Sequence, residues 1–290
     1  MSLPPFGLLR PTTLLEALEA MAEAPGIVPL AGGTSLLVDL RDRRSEAELL
    51  VDLSKLKELQ GIETTPNEIV LGATTTIAEL LHSPFLRQCV PLLTECCRTF
   101  AAPLIRNRAT IGGNLAYASP AADCAPSLLA LDASVELRSL RDKRLIPLSE
   151  FFLGVRRTVV RPGELLTAVV LPRSSAGGRA AYRKLGLRKA NAISVGSVAV
   201  RVTLDQNNRC NRVRIALGAV APTPRRAESS ESHLVGKRLT ETSINEAAHL
   251  ASRECAPIDD VRGSATYRRR TTETLVRRCL LEIAEISEAE

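Results

Sequence analysis

Two glycine pairs constrain this chain more than any other feature. VPLAGGTSL runs from Val28 to Leu36, and RATIGGNLAYASPAADCAP from Arg108 to Pro126. In the first, the apolar run Ile27 to Ala31 reads as a buried strand that ends at Gly32 and Gly33. Glycine there permits positive φ and lets backbone N–H groups approach an anion. Thr34 and Ser35 add hydroxyl donors. In the second, Thr110, Ile111, Gly112, Gly113 and Asn114 offer hydroxyl, bare backbone and carboxamide, in a stretch that reads neither as core helix nor as alternating strand. The first pair alone also fits a tight turn with no ligand. Two pairs flanked by hydroxyl residues fit the two halves of a pyrophosphate. Neither has the Lys of a Walker loop or the GxGxxG spacing of a dinucleotide fingerprint. Asp123, nine residues beyond Asn114, is placed to accept from ribose, ribityl or amine donors of a nucleotide, or else to cap the helix after Pro126.

The flanking pattern predicts an α/β unit over about residues 1–55. Thr13 with Glu16 opens a helix, and Leu49 to Leu53 reads as a second strand. Residues 56–175 continue it as a second subdomain. They hold a strand at Glu68–Gly72, capped helices after Thr76 and Pro91, and strands at Ser134–Leu140 and Leu165–Leu171. Arg173 to Arg179 carries no large apolar residue and reads as a linker. Beyond it, 180–290 reads as a separate domain. It has strands at Ile193–Leu204 and Cys210–Val220, a turn at Asp205–Asn208, and helices near 243–255 and 266–286.

The 290 residues are 45% hydrophobic and 3% aromatic, so the core must be aliphatic. The net charge is +6, but basic residues are dispersed among acids and stacking aromatics are scarce, which argues against nucleic acid. The densest run, Tyr267 to Arg270, reads as solvated or partner-facing surface. The seven cysteines are odd in number and lack CxxC spacing, which argues against a zinc or iron–sulfur site and for buried, reduced thiols. With no long apolar run and no signal-like N-terminus, the expectation is a cytoplasmic protein with no membrane association. His82, His233 and His249 read as surface or capping residues. No nucleophile–base or metal constellation is apparent, so no catalytic residue is assigned.

LAGGTSLLVDL and RNRATIGGNLAYASPAADCAPSLLALDA resemble the FAD-binding subunit of the molybdenum hydroxylases, the family of xanthine and carbon monoxide dehydrogenases. EFFLGVRRTVVRPGELLTAVVLP, YRKLGLRKANAISVGSVAV and LGAVAPTPRRAE extend the resemblance, in order, over nearly the whole chain. It implies an α+β protein: a two-subdomain α/β FAD-binding domain, then a C-terminal domain with an antiparallel sheet and helices. It implies FAD between the two subdomains, its pyrophosphate held by Val28, Pro29, Leu30, Ala31, Gly32, Gly33, Thr34 and Ser35 and by Thr110, Ile111, Gly112, Gly113 and Asn114. Phe100, Ala101, Ser119, Asp123, Leu165 and Lys184 match the family's further cofactor contacts. By the same resemblance, this is an oxidoreductase subunit of a hetero-oligomer. It would pass electrons from the [2Fe–2S] clusters of an iron–sulfur subunit through FAD to NAD or another acceptor, while a large subunit holds the molybdenum cofactor. The alternative is a self-sufficient flavin oxidase or reductase on the same fold. Two departures stand out: Ser35 replaces a common Asp, and Asn191 and Ala192 replace an Asp and an aromatic near the flavin ring.

Overall fold

The computed structural model describes residues 2–285. The chain opens with β1 (Gly7–Leu9), α1 (Leu14–Glu23), β2 (Ile27–Leu30), α2 (Leu36–Arg41) and β3 (Leu49–Asp52). The three strands form a parallel sheet of order β1-β3-β2. Thr13 caps α1 by accepting from the Glu16 N–H, and the Glu16 carboxylate reaches back to the Thr12 N–H at 2.7 Å. Leu14, Ala17, Leu18 and Ala20 recur at helical spacing and pack on Val51, Leu53, Leu56, Leu59 and Leu165.

Next come β4 (Ile62–Thr64) and β5 (Glu68–Gly72). A run of short helices follows: α3 (Ile77–His82), α4 (Pro84–Cys89), α5 (Pro91–Thr99), α6 (Pro103–Arg106), α7 (Ile111–Ala116) and α8 (Cys124–Ala130). A full capping box of Thr76 and Glu79 starts α3, and proline starts α4, α5 and α6, where its missing N–H costs nothing. Then come β6 (Ser134–Arg138), β7 (Lys143–Pro147), α9 (Leu148–Phe151), β8 (Phe152–Gly154), β9 (Arg157–Thr158) and β10 (Leu165–Pro172). The second sheet is antiparallel, of order β4-β5-β10-β6-β7, and β8 pairs with β9 alone. β10 sits at its centre and is buried from Leu165 to Leu171, hence its largely apolar sequence, broken by Thr167, whose hydroxyl donates to the Glu136 carboxylate at 2.8 Å. Each such leucine contributes about 1.5–3 kcal/mol by leaving water.

The last part holds β11 (Arg179–Gly186), β12 (Ser194–Leu204), β13 (Cys210–Gly218), β14 (Arg225–Arg226), α10 (Glu228–Leu234), α11 (Glu241–Arg253) and α12 (Ala265–Ala284). Its sheet, ordered β11-β12-β13-β14, is antiparallel. Alternation along β12 and β13 splits the side chains. Val198, Val200, Val202, Val213, Ile215 and Leu217 join a core with α11 and α12. Ala199, Ala216 and Tyr182 join the core of the middle region, where α8 packs.

Three expectations need correction. The stretch 108–126 contains two helices: Thr110 caps α7, and the Gly112 N–H bonds the Ala73 carbonyl, which outweighs the poor helix propensity of a glycine pair. The expected linker is the connection between β10 and β11: it opens with a 3₁₀ turn at Arg173–Ser175 and ends where the chain enters β11 at Arg179. The final helix ends at Ala284; position 286 and the rest of the C-terminus lie outside the described residues. In the basic run, Arg268 is buried rather than solvated, its guanidinium donating to the Ala219 carbonyl and the Asp260 carboxylate. All seven cysteines are free, six of them buried and Cys89 half-buried. Among the described residues, no cluster could hold a metal and no helix is long and apolar enough to cross a membrane.

Candidate functional site

A cleft separates the three-stranded sheet from the five-stranded one. Its main cavity, about 290 Å³, is lined by Val28, Pro29, Ala31, Gly32, Gly33, Thr34 and Ser35 on one side and by Phe100, Thr110, Gly112, Gly113, Asn114 and Leu165 on the other. A second cavity of about 200 Å³ shares Ala31, Gly32, Thr74 and Thr110 with it and adds Ser54, Gln60, Asn107 and Arg108. The two cavities adjoin at Gly32 and Thr110.

Main chain from the two sides meets where the cavities adjoin. A Cβ on Gly32 would lie 1.9 Å from the Arg108 carbonyl oxygen, so only glycine lets the loop come this close. Gly33 has φ +71°, the left-handed region. The resulting turn leads directly into α2. Among the described residues, the N–H groups of Gly32, Gly33, Thr34 and Ser35 find no acceptor in the protein. Four free donors beside a cavity are what an anion requires.

The second pair is built differently. The N–H groups of Ile111, Gly112, Gly113 and Asn114 bond to the Thr75 carbonyl, the Ala73 carbonyl, the Thr110 hydroxyl and the Thr110 carbonyl. They are spent on holding α7 in place. What this side offers the cleft is shape, the Thr110 hydroxyl proton, and the Asn114 amide, whose oxygen accepts from the Cys124 N–H at 3.3 Å. Gly112 is fixed by packing, since its Cβ would lie 2.6 Å from the Ala73 Cβ.

Other expected residues lie beside the cavity rather than on its wall. Leu30 contributes its carbonyl to Leu53, and Ile111 is fully buried in the core. Ala101 adopts φ +38° and accepts from the Asn191 N–H. The Ser119 hydroxyl accepts from the Ala121 N–H. Asp123 occupies the N-cap position of α8 without capping it. Its carboxylate instead accepts from Lys184 Nζ at 2.7 Å and from the Ser194 hydroxyl at 2.8 Å. Burial holds the Asp123 carboxyl above its usual range, against the opposing pull of Lys184 and Ser194. Lys184 also donates to the Thr99 carbonyl, so this ion pair stands next to Phe100. None of the histidines lines either cavity: His233 and His249 pair with Glu246 and Glu273, and His82 is exposed in the last turn of α3.

Sequence reasoning missed Leu36, Leu53, Ala73, Thr74, Ala109, Ala116, Tyr117 and Leu166 on the cavity wall. Most are small or aliphatic residues with no chemical signature. Tyr117, three residues beyond Asn114, was the one distinctive side chain within reach of the motif.

Residues 4–174 match the family described as the FAD binding domain in molybdopterin dehydrogenase, and residues 180–283 match the CO dehydrogenase flavoprotein C-terminal domain. The chain is 38% identical over 251 residues to the 6-hydroxypseudooxynicotine dehydrogenase complex subunit alpha of Paenarthrobacter nicotinovorans, covering 87% of this chain and 84% of that one. It is 34% identical to the carbon monoxide dehydrogenase medium chain of Hydrogenophaga pseudoflava, covering 87% of each. A crystal structure of the Cu,Mo-CO dehydrogenase superposes with a TM-score of 0.94 at 34% identity, over 98% of this chain and 99% of that one.

Proposed function

This chain belongs to the FAD-binding subunits of the molybdenum hydroxylases, and from that premise we propose that it is the electron-transfer subunit of such a complex. The supporting observation is the row of four unpaired N–H groups from Gly32 to Ser35 on the wall of the cleft. Those donors, with Thr110 and Asn114 opposite, would hold the pyrophosphate of FAD. Phe100, Leu165 and Leu166 would exclude water from its apolar parts, and Asp123 with Lys184 would set the charge behind Phe100. Bound FAD supplies both one- and two-electron chemistry, which suits a link between [2Fe–2S] clusters and a two-electron acceptor such as NAD.

In this reading the chain needs no general base of its own. Its residues bind, orient and shield, and substrate hydroxylation belongs to a molybdopterin-binding large subunit. An iron–sulfur subunit completes a cytoplasmic hetero-oligomer.

The test has two steps. The full chain is expressed alone, its visible spectrum recorded, and any chromophore released by heat and identified. FAD released intact supports the cofactor site; a folded, colourless chain that also refuses added FAD removes it. Co-expression with its partner subunits then asks for a stable assembly. A fully active, monodisperse monomer would sink the electron-transfer role and favour the self-sufficient flavoenzyme.

A further inference from the structure

Tyr117 lines the cleft, and its hydroxyl donates to the buried Asp39 carboxylate at 2.9 Å. Arg156 donates to the same carboxylate at 2.8 Å and to the Tyr117 hydroxyl, and its guanidinium lies 4.6 Å from the centre of the Tyr117 ring. Arg44 approaches the other Asp39 oxygen at 3.3 Å. Asp39 is on α2, Tyr117 caps the end of α7, and Arg156 lies in the β8–β9 turn, 78 and 117 residues from Asp39.

The geometry points to a latch: Asp39, Tyr117 and Arg156 clasp the two walls of the cleft together and set how slowly bound FAD leaves. The inference rests on the reading that FAD occupies this cleft. Three observations carry it. First, the cluster is wired to both glycine pairs. The Asp39 N–H bonds the Ser35 carbonyl and the Leu37 N–H bonds the Gly33 carbonyl, while the Tyr117 N–H bonds the Gly113 carbonyl. Moving Asp39 away from Tyr117 therefore moves the turn that carries the free N–H groups away from α7. Second, its backbone is held in an unfavourable shape. Ala118 and Arg156 have φ of +47° and +55°, and the Arg156 N–H donates to the Ala118 carbonyl. Third, the cluster is rigid on one side and openable on the other. Asp39 is 3% exposed and needs its partners to offset burial of its charge, whereas the Arg156 side chain is 43% exposed. Tyr117 is thus a positioning residue, acting through the loops rather than on the reacting atoms.

The test uses the full chain loaded with FAD. Release is followed by the rise in flavin fluorescence after dilution, and thermal unfolding of the FAD-free chain is recorded in parallel. Asp39→Asn and Arg156→Ala should each speed release by about ten-fold, in line with loss of a charge-assisted contact expressed in the off-rate. Tyr117→Phe, which keeps the ring, should speed it by about three-fold. Combining Tyr117→Phe with Arg156→Ala should add less than the product of the two, because they break one unit. Arg156→Lys should restore part of the slow release. Should Asp39→Asn not fold, the Arg156 pair still decides. Release within two-fold of the parent in every variant, with only thermal stability falling, overturns the latch and leaves the FAD site standing. A parent chain that holds no FAD overturns both.

Discussion

At Gly32 a Cβ would lie 1.9 Å from the Arg108 carbonyl oxygen, and at Gly112 one would lie 2.6 Å from the Ala73 Cβ. Both contacts exclude a side chain, but they protect different things. The first glycine pair turns the chain so that four N–H groups stay unpaired beside the cleft. The second lets a short helix sit hard against β5, and its N–H groups are all paired inside the protein. The same dipeptide serves as a donor surface in one place and as a packing joint in the other. A glycine motif does not state its own mechanism; the fate of its amide protons does.

The largest effect should come from Gly32→Ala. Main chain opposes the new methyl, so neither side can yield cheaply, and a loss of ~3 kcal/mol or more follows. Denaturant midpoints and the flavin-to-protein ratio should fall together. A variant that keeps both would erase the distinction between the pairs. Gly112→Ala should cost ~1–3 kcal/mol by overpacking yet weaken FAD binding less than it weakens the fold. Adding Ala73→Gly removes the methyl contact but leaves the Ala73 carbonyl oxygen at 2.7 Å, so rescue should be partial, read by thermal unfolding. If FAD affinity instead collapses while stability holds, the second pair binds through its backbone after all. The smallest effect belongs to Gly33, whose φ of +71° is strained for most residues but tolerated by asparagine. Gly33→Ala should cost about 1–2 kcal/mol and Gly33→Asn less, which a pair of melting curves resolves.

The sequence disclosed features whose cause is local. The Thr76–Glu79 capping box and the left-handed turn at Gly33 each depend on neighbours within a few residues. It hid those whose cause is remote. α7 exists because Ala73 and Thr75 accept its first N–H groups, which no propensity scale registers. β11 was missed because Arg179, Arg183 and Lys184 break its apolar alternation, their charges answered by Glu285, Glu282 and Asp123 far along the chain. For the candidate site, family resemblance pointed to Asp123 and Lys184 separately, but their bond to each other needed the fold. The Asp39–Tyr117–Arg156 cluster gave no sign in sequence, since none of its members is near another in the chain.

The sheet of β11 to β14 is covered on both faces, by α10 and α12 on one and by α8 and α5 on the other. Ala199, Ala216 and Gly218 leave room on the α8 side; a Cβ at Gly218 would lie 2.6 Å from Pro126. The segment near residue 176 is therefore a seam in the covalent chain and not a line along which the molecule comes apart. A fragment cut there would lay bare the apolar flank of α8 on one piece and an alanine-paved sheet on the other. Grafting the last hundred residues between relatives, as one exchanges a cassette, requires α8 to travel with them.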